Sequence, residues 1–226
     1  FVGVVSAAVC ASFGHEVVGL DIDEKKVESL KSSKVPFYEP NLEELLSSTQ
    51  KKGNLTFTTS YQSAITDSDV IFIAVGTPSS ADGNADMRYV YAASESLAPY
   101  LKEKAIVVVK STVPPGTLEK VEEKINNTVK VKYFTASVPE FLKEGTAVYD
   151  TLNPDRVVIG ATNDYVFKVL EDLHKPLNVP VIRISPESAQ MAKYSANAYL
   201  ATRITFVNQI ADLCEKNGAD VQEVID

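Results

Sequence analysis

Short apolar runs alternate with amphipathic stretches along the first 184 residues of the chain. Residues 70–75 and 105–109 are uninterrupted apolar runs, which are typical of strands buried on both faces of a parallel sheet. Stretches with helical periodicity lie between such runs, and glycines and prolines mark the turns. Strands that alternate with helices predict an α/β fold, here a doubly wound parallel sheet of the Rossmann type.

The pattern changes after residue 184. A helical pattern starts at Ser185, a good N-cap followed by Pro186, and continues almost unbroken to Gly218. About 32 residues at about 1.5 Å each give a helix of about 48 Å. Because its apolar residues lie on nearly every side, we expect several elements to bury it, either between two domains or in a dimer core. The sequence thus predicts a Rossmann-type domain over residues 1–184 and the start of a central helical domain over residues 185–226.

The first residues match the later part of a βαβ dinucleotide-binding unit. A small-residue helix containing Gly3 ends at Gly14, a short apolar strand follows, and Asp21 stands at its carboxyl end. A carboxylate there can bind the ribose hydroxyls of NAD and would repel the 2′-phosphate of NADP. A strand and a phosphate loop normally precede such a helix, so we expect the chain to be truncated at its N-terminus. The alternative is a strand-end Asp that only caps the next helix.

Hydroxyl groups follow the next two buried strands, at the edge where open α/β sheets bind ligands. Residues 75–79 read Val-Gly-Thr-Pro-Ser, and residues 110–113 read Lys-Ser-Thr-Val. Contact with a cofactor and plain helix capping explain these hydroxyls equally well. Lys26 lies five residues after Asp21, close enough to flank an adenosine, although a solvated helix lysine is the simpler interpretation.

Two further positions carry candidate chemistry. Glu140 follows a proline turn after a predicted strand over residues 129–134, where an acid is well placed to act as a general base. Lys193 and Asn197 stand at i and i+4 on the long helix. If they are buried they need a partner or a ligand. If their face is exposed they need none.

The amino-acid composition argues against several classes of function. The chain has 226 residues, 45% hydrophobic content and a net charge of −8, and no basic run that could bind a nucleic-acid backbone. Its apolar runs are far shorter than the roughly 18 residues of a membrane span, and no signal peptide is visible. Cys10 and Cys214 lie in different helical patterns, so no disulfide is expected. We therefore expect a cytoplasmic protein with no nucleic-acid, membrane or metal partner.

Six segments, taken together and in order, resemble the UDP-glucose 6-dehydrogenase and GDP-mannose dehydrogenase family. They read GHEVVGLDID, VPFYEPNLEELL, VGTPSSADGNAD, VKSTVPPGT, PEFLKEGTAVYDTLNPDRVVIG and KYSANAYLATRITFVNQIADLCEKNGADV. The resemblance implies an NAD-dependent, four-electron oxidation of the C6 hydroxymethyl group of a nucleotide sugar to a carboxylate, through an aldehyde and a thiol-bound intermediate. The YEPNL and NPDRVVIG segments favour UDP-glucose, giving UDP-glucuronate. A homodimer through the long helix is implied as well.

Matching positions in the resemblance imply three sets of site residues. The cofactor set is Gly3, Asp21, Lys26, Val75, Gly76, Thr77, Pro78, Ser111, Thr112 and Glu144. The substrate set is Glu140, Phe141, Leu142, Lys143, Glu144, Lys193 and Asn197. The catalytic set is Thr112, Glu140, Lys193 and Asn197. In that set Thr112 helps hold the catalytic water, Glu140 activates it for thioester hydrolysis, and Lys193 stabilises oxyanion charge.

The sequence also departs from the family pattern. The family's nucleophilic cysteine matches neither Cys10 nor Cys214 and would lie beyond residue 226, so we expect these 226 residues alone to be inactive. Val138 replaces a usual Asn and Gln209 a usual Glu. Three alternatives stay open: a UDP-N-acetylmannosamine or GDP-mannose dehydrogenase, a one-hydride β-hydroxyacid dehydrogenase relative, and a non-catalytic NAD-binding or assembly module.

Overall fold

The computed structural model describes residues 1–225, in which short strands alternate with helices. The strands are β1 (Val17–Leu20), β2 (Leu55–Thr58), β3 (Val70–Ile73), β4 (Ile106–Val109), β5 (Phe134–Ser137), β6 (Val157–Gly160) and β7 (Val181–Ile184). The helices are α1 (Val2–Ser12), α2 (Glu24–Lys31), α3 (Leu42–Lys51), α4 (Tyr61–Ile65), α5 (Arg88–Leu97), α6 (Thr117–Asn126), α7 (Ala147–Leu152), α8 (Asp164–His174), α9 (Pro186–Asn217) and α10 (Val221–Ile225). Short 3-10 turns extend α5 and α8. The predicted α/β fold with a long C-terminal helix is confirmed.

The strands form two sheets. β1 pairs with β2 in parallel, and the larger sheet has the order β3-β4-β5-β6-β7. All neighbours in the larger sheet are parallel except β5 and β6, which meet at one antiparallel position, Ser137 opposite Gly160. The carboxyl ends of β3, β4 and β5 therefore lie side by side at one edge, and the loops that follow them can share a site.

The core lies on both faces of β4, all four residues of which are buried. Val107 and Val109 pack with α5 and α6, whereas Ile106 and Val108 pack with α8 on the opposite face. This alternation is the two-residue period of a strand. Helices on both faces explain why the run is apolar at every position.

The predicted strand over residues 129–134 is wrong, because the strand begins only at Phe134. Phe134 is the first residue to pair with β4, opposite Ile106. Val129 still donates its N–H to the carbonyl of Ile125 at the end of α6, at 3.0 Å. Residues 129–133 instead connect α6 to the sheet, and their apolar side chains pack against the core from outside the ladder.

Helix α9 begins against the end of β6. A Cβ atom added to Gly160 would lie 2.6 Å from Cβ of Ala189 and 2.8 Å from Cα of Pro186, so only glycine permits this approach. Ser185 caps the helix by accepting the N–H of Ser188, and Gly218, with φ of 71°, ends it. The predicted helix of 32 residues is confirmed.

The burial of α9 on several sides, predicted between two domains or in a dimer core, is not reached within residues 1–225. One face of its first two turns is buried, but farther along Tyr199 is 66% exposed and Phe206 is 62% exposed. The reason is that the helix leaves the sheet after Lys193, and of its later residues only Cys214 is buried within residues 1–225. A covering by a second protomer, and the domain boundary at residue 184, stay predictions. No helix within residues 1–225 is both long and apolar enough to cross a bilayer.

Candidate active site

The loops after β3 and β4 are joined to each other by their hydroxyl groups. The hydroxyl of Ser111 donates to the carbonyl of Val75 at 2.6 Å, and that of Thr77 donates to the carbonyl of Thr112 at 2.8 Å. Neither hydroxyl caps α6, since Gly116 is the N-cap of that helix. These contacts fix two loops of the predicted cofactor set side by side. The hydroxyl of Thr112 itself has no hydrogen-bond partner within residues 1–225.

Glu140 and Lys193 form a buried ion pair at the end of β5. The Nζ atom of Lys193 lies 3.1 Å from Oε1 of Glu140, and their side chains are only 7% and 13% exposed, respectively. The second carboxylate oxygen of Glu140 accepts the N–H of Leu142 at 2.9 Å. The structure therefore brings together two predicted catalytic residues from positions far apart in the sequence.

The ring of Phe141 lies between two cations. Nζ of Lys193 is 5.5 Å from the ring centroid, and the guanidinium carbon of Arg156 is 5.6 Å from it. Arg156 was not among the predicted site residues. Asn197, one turn after Lys193, is exposed and has no hydrogen-bond partner within the described chain. The exposed-face alternative thus holds for Asn197 and fails for Lys193.

Lys110 is a third charged group near this ion pair that the sequence analysis did not identify. Burial lowers its pKa, and the charge of Lys193 lowers it further, while Cys10 and Glu140 oppose the shift. Its position directly after the fully buried strand β4 was the available signal, because a lysine there has little access to solvent. The site therefore combines one carboxylate with two ammonium groups.

Gln190 connects α9 to the turn before α6. Its side chain is buried, and its Oε1 atom accepts the N–H of Gly116 at 3.0 Å. Its Nε2 atom is buried without a partner in the part of the chain that the structure describes. One turn separates Gln190 from Lys193, so this hydrogen bond helps to fix the part of α9 that carries the lysine. The sequence analysis missed this residue too.

Asp21 stands at the end of β1 and forms an ion pair with Lys26. Its other carboxylate oxygen accepts the N–H of Asp23 at 3.1 Å. The cap of α2 is Asp23, which accepts the N–H groups of Lys25 and Lys26. The alternative in which Asp21 only caps the next helix is therefore wrong. Lys26 pairs with the Asp21 carboxylate and is not solvated alone.

Asp21, Lys26 and Glu144 lie near the start of α1, since the charges of all three act on Phe1. A strand-end carboxylate and a helix start are thus close together, which is the arrangement that binds the ribose and phosphates of a dinucleotide in βαβ units.

Comparison with known proteins identifies the family. A model of the UDP-glucose/GDP-mannose dehydrogenase family, NAD binding domain, matches residues 1–178, and the model of that family's central domain matches residues 187–226. The chain belongs to the UDP-glucose/GDP-mannose dehydrogenase family. Its predicted membership and its NAD cofactor are thereby confirmed.

Two curated relatives of this chain are bacterial UDP-glucose 6-dehydrogenases. The enzyme TuaD of Bacillus subtilis is 46% identical over 100% of this chain and 50% of its own length. The enzyme of Rhizobium meliloti is 45% identical over 99% of this chain and 53% of its own length. The chain thus spans about half the length of the curated relatives it matches.

Solved structures agree with the family fold. A UDP-glucose dehydrogenase from the archaeon Pyrobaculum islandicum is 41% identical, with a TM-score of 0.96 over 99% of this chain and 53% of its own. A GDP-mannose dehydrogenase from Pseudomonas aeruginosa is 36% identical, with a TM-score of 0.94 over 100% of this chain and 53% of its own. The Rossmann-type architecture of this chain is therefore established.

Cys10 and Cys214 are both free cysteines. Burial raises the pKa of the Cys10 thiol, with Lys110 opposing the shift, and Cys214 is buried on α9. Within residues 1–225, no three side chains of His, Cys, Asp or Glu are grouped to hold a metal ion.

Proposed function

We propose that the full-length protein oxidises the C6 hydroxymethyl group of UDP-glucose to the carboxylate of UDP-glucuronate, with NAD as the oxidant in both steps. The names of the two curated relatives support this substrate. The activity is proposed for the full-length protein, because the chain spans only half the length of those relatives. NAD, when bound, supplies the hydride acceptor for each oxidation.

The buried pair of Lys193 and Glu140 is the observation that carries the proposal. An ammonium group shielded from water is suited to stabilise negative charge that develops on a substrate oxygen. A carboxylate beside it is suited to accept a proton from the water that hydrolyses a thioester. Thr112, whose hydroxyl is free of protein partners, is proposed to hold that water. Asn197, exposed on the same helix, is proposed to contact the sugar.

The remaining site residues are proposed to bind the two ligands. Asp21 binds the ribose hydroxyls of NAD, and its ion pair with Lys26 orients the carboxylate beside the start of α1. The other proposed cofactor contacts are Gly3, Val75, Gly76, Thr77, Pro78, Ser111, Thr112 and Glu144. The other proposed sugar contacts are Phe141, Leu142, Lys143 and Glu144.

The first test is to incubate the purified full-length protein with UDP-glucose and NAD and to count NADH per sugar. Two NADH per UDP-glucose are expected. One NADH per substrate would overturn the four-electron chemistry and favour the β-hydroxyacid dehydrogenase alternative. Turnover of GDP-mannose or UDP-N-acetylmannosamine but not UDP-glucose would correct the substrate. No turnover with any of them would favour the non-catalytic alternative.

A second test uses matched variants. Glu140→Gln and Lys193→Met are each expected to lower kcat by about 10²–10⁴-fold, which is the range for loss of general-base or oxyanion stabilisation. The exposed ion pair of Lys124 and Glu95, at 2.8 Å, offers the matched controls Lys124→Met and Glu95→Gln. Those controls should retain wild-type turnover. Equal losses in both pairs would contradict the assignment.

Three further proposals concern the protein as a whole. The 226 residues alone are inactive, and NADH formation by them would overturn this. The full-length protein is a cytoplasmic homodimer in which the exposed apolar residues of α9 are covered. A monomer in sedimentation analysis would refute the dimer.

A further inference from the structure

Glu39 is the one carboxylate among the buried residues of the chain as described, with 6% exposure. It lies in the Pro-Phe-Tyr-Glu-Pro turn between α2 and α3, far in sequence from the candidate site. Its Oε2 atom accepts the N–H of Gly145 at 2.9 Å, and its Oε1 atom accepts the N–H of Val148 at 3.2 Å. Both oxygens are thus committed to the backbone of one other segment.

That segment is the loop that carries Glu140 and Phe141. Asp150 accepts the N–H of Lys143 at 3.0 Å and the hydroxyl of Thr146 at 2.9 Å. Thr146 is the N-cap residue of α7, but its side chain makes no capping hydrogen bond. Glu39 supplies a cap instead, because its Oε1 atom accepts the N–H of Val148 in the first turn of α7, 109 residues away.

Several contacts hold this loop. The ring of Phe141 lies between the cations of Lys193 and Arg156, and Asp150 holds Lys143 and Thr146. Glu39 is the contact that ties the loop to the segment between α2 and α3. Without its carboxylate, the N–H groups of Gly145 and Val148 lose their acceptors, and the backbone that leads back to Glu140 is less constrained.

The turn around Glu39 is itself rigid. Pro36 and Pro40 flank it, and a proline restricts the residue before it to extended geometry. Tyr38, the residue before Glu39, is 85% exposed. The turn therefore directs the side chain of Tyr38 to solvent and that of Glu39 into the protein. A carboxylate held on a rigid turn makes strong hydrogen bonds with backbone N–H groups.

We propose that Glu39 is a positioning residue of the active site, acting through the backbone of Gly145 and Val148 to place Glu140 and Phe141 against Lys193. The inference rests on the proposed function of that pair. It adds a residue that does not touch the reacting atoms but sets the geometry of the group that does. Misplacement of a catalytic group by about 1 Å lowers turnover by about 10²-fold.

The test is Glu39→Gln in the full-length protein. Glutamine keeps the size and burial of the side chain but replaces one acceptor oxygen with an amide that cannot accept an N–H. We expect kcat with UDP-glucose to fall on the order of 10²-fold. The Kd for NAD should change far less than kcat, because Glu144 is the one proposed cofactor contact on this loop and the proposed ribose site at Asp21 lies on another loop.

Glu43→Gln is the matched control. Glu43 lies four residues later, and it likewise accepts a backbone N–H, that of Val35 at 3.2 Å, and pairs with Lys34 at 3.0 Å. Within residues 1–225 its side chain makes no hydrogen bond or ion pair with the loop of residues 140–146. This variant should retain the wild-type kcat. An equal loss in Glu43→Gln, an unchanged kcat in Glu39→Gln, or a parallel loss of NAD affinity would overturn the proposal.

Amide hydrogen exchange tests the contact separately from turnover. The N–H groups of Gly145 and Val148 should be protected in the wild-type protein and exchange faster in Glu39→Gln, but not in Glu43→Gln. If these N–H groups are not protected in the wild-type protein, the inference is overturned whether or not a nucleotide sugar is oxidised. A lack of oxidation with protection intact would refute only the proposed function. If Glu39→Gln does not fold, Glu39→Asp keeps the carboxylate but shortens its reach to Gly145 and Val148. It should lower kcat more than it lowers NAD affinity, and an unchanged kcat would overturn the proposal.

Discussion

Replacing Lys193 by Met tests the buried ion pair most directly. Methionine keeps the length of the side chain and removes its charge. Glu140, whose side chain is 13% exposed, then keeps only the N–H of Leu142 as a partner. Truncating one member of a buried pair costs about 3–5 kcal/mol, because an uncompensated charge stays behind. The contact of the ammonium with the Phe141 ring, worth about 0.5–1 kcal/mol, is lost as well.

Urea unfolding of the full-length protein measures this loss. With a slope of about 2 kcal/mol per molar urea, the midpoint should fall by about 1.5–2.5 M. Glu140→Gln should also destabilise, because it leaves the ammonium without its carboxylate. The double variant carries neither charge. Its loss of stability should therefore be smaller than the sum of the single losses by about 2–3 kcal/mol, the coupling of groups in direct contact.

A coupling below about 0.5 kcal/mol would refute this reasoning, since that is the additivity expected for independent sites. It would mean that the 3.1 Å contact is not maintained in solution. The exposed pair of Lys124 and Glu95 is the control for charge removal in general. Its double-mutant cycle should give a coupling energy of no more than about 1 kcal/mol.

Three other predictions follow from the structure. Asp21→Ala should weaken NAD binding and reduce the preference for NAD over NADP, because the carboxylate that repels a 2′-phosphate is removed; titration with both cofactors checks this, and an unchanged preference contradicts it. Gly160→Ala should destabilise by about 1–3 kcal/mol, because the new Cβ would lie 2.6 Å from that of Ala189; equal urea midpoints would show that α9 can move away. Burial lowers the pKa of His174 from 6.5 to about 4, so the unfolded chain takes up a proton at higher pH than the folded one. Stability should therefore fall by roughly 3 kcal/mol from pH 6.5 to pH 4, and His174→Gln should remove this part of the pH dependence.

The elements that depend on local pattern were predictable from the sequence. The apolar run of β4 indicated a strand covered on both faces, and Ser185 and Gly218 indicated both ends of the 32-residue helix. Helix caps and hydrophobic periodicity depend on residues only a few positions apart, so neighbouring residues in the sequence indicate them. Asp21 was predicted at a strand end for the same reason.

The residues that hold the site together were not predictable in this way. Glu39 binds Gly145 across 106 residues, and Gln190 binds Gly116 across 74. Each is a polar side chain of ordinary type, and no local pattern marks it as a residue that holds the site together. The role of each side chain depends on which distant backbone N–H group lies opposite it in the fold. The residues next to it in the sequence do not indicate that group.

The order of strands and helices, the length of α9 and the family resemblance all follow from the amino-acid sequence alone. The start of β5 depends instead on contacts between distant segments, because pairing with Ile106 places the first strand residue at Phe134. Such contacts also distinguish Lys193 from Asn197, although the two lie one turn apart on the same helix. Lys193 faces the sheet and Glu140, whereas α9 has already left the sheet at Asn197. Burial depends on what lies opposite a residue, and that is settled only when distant segments pack together.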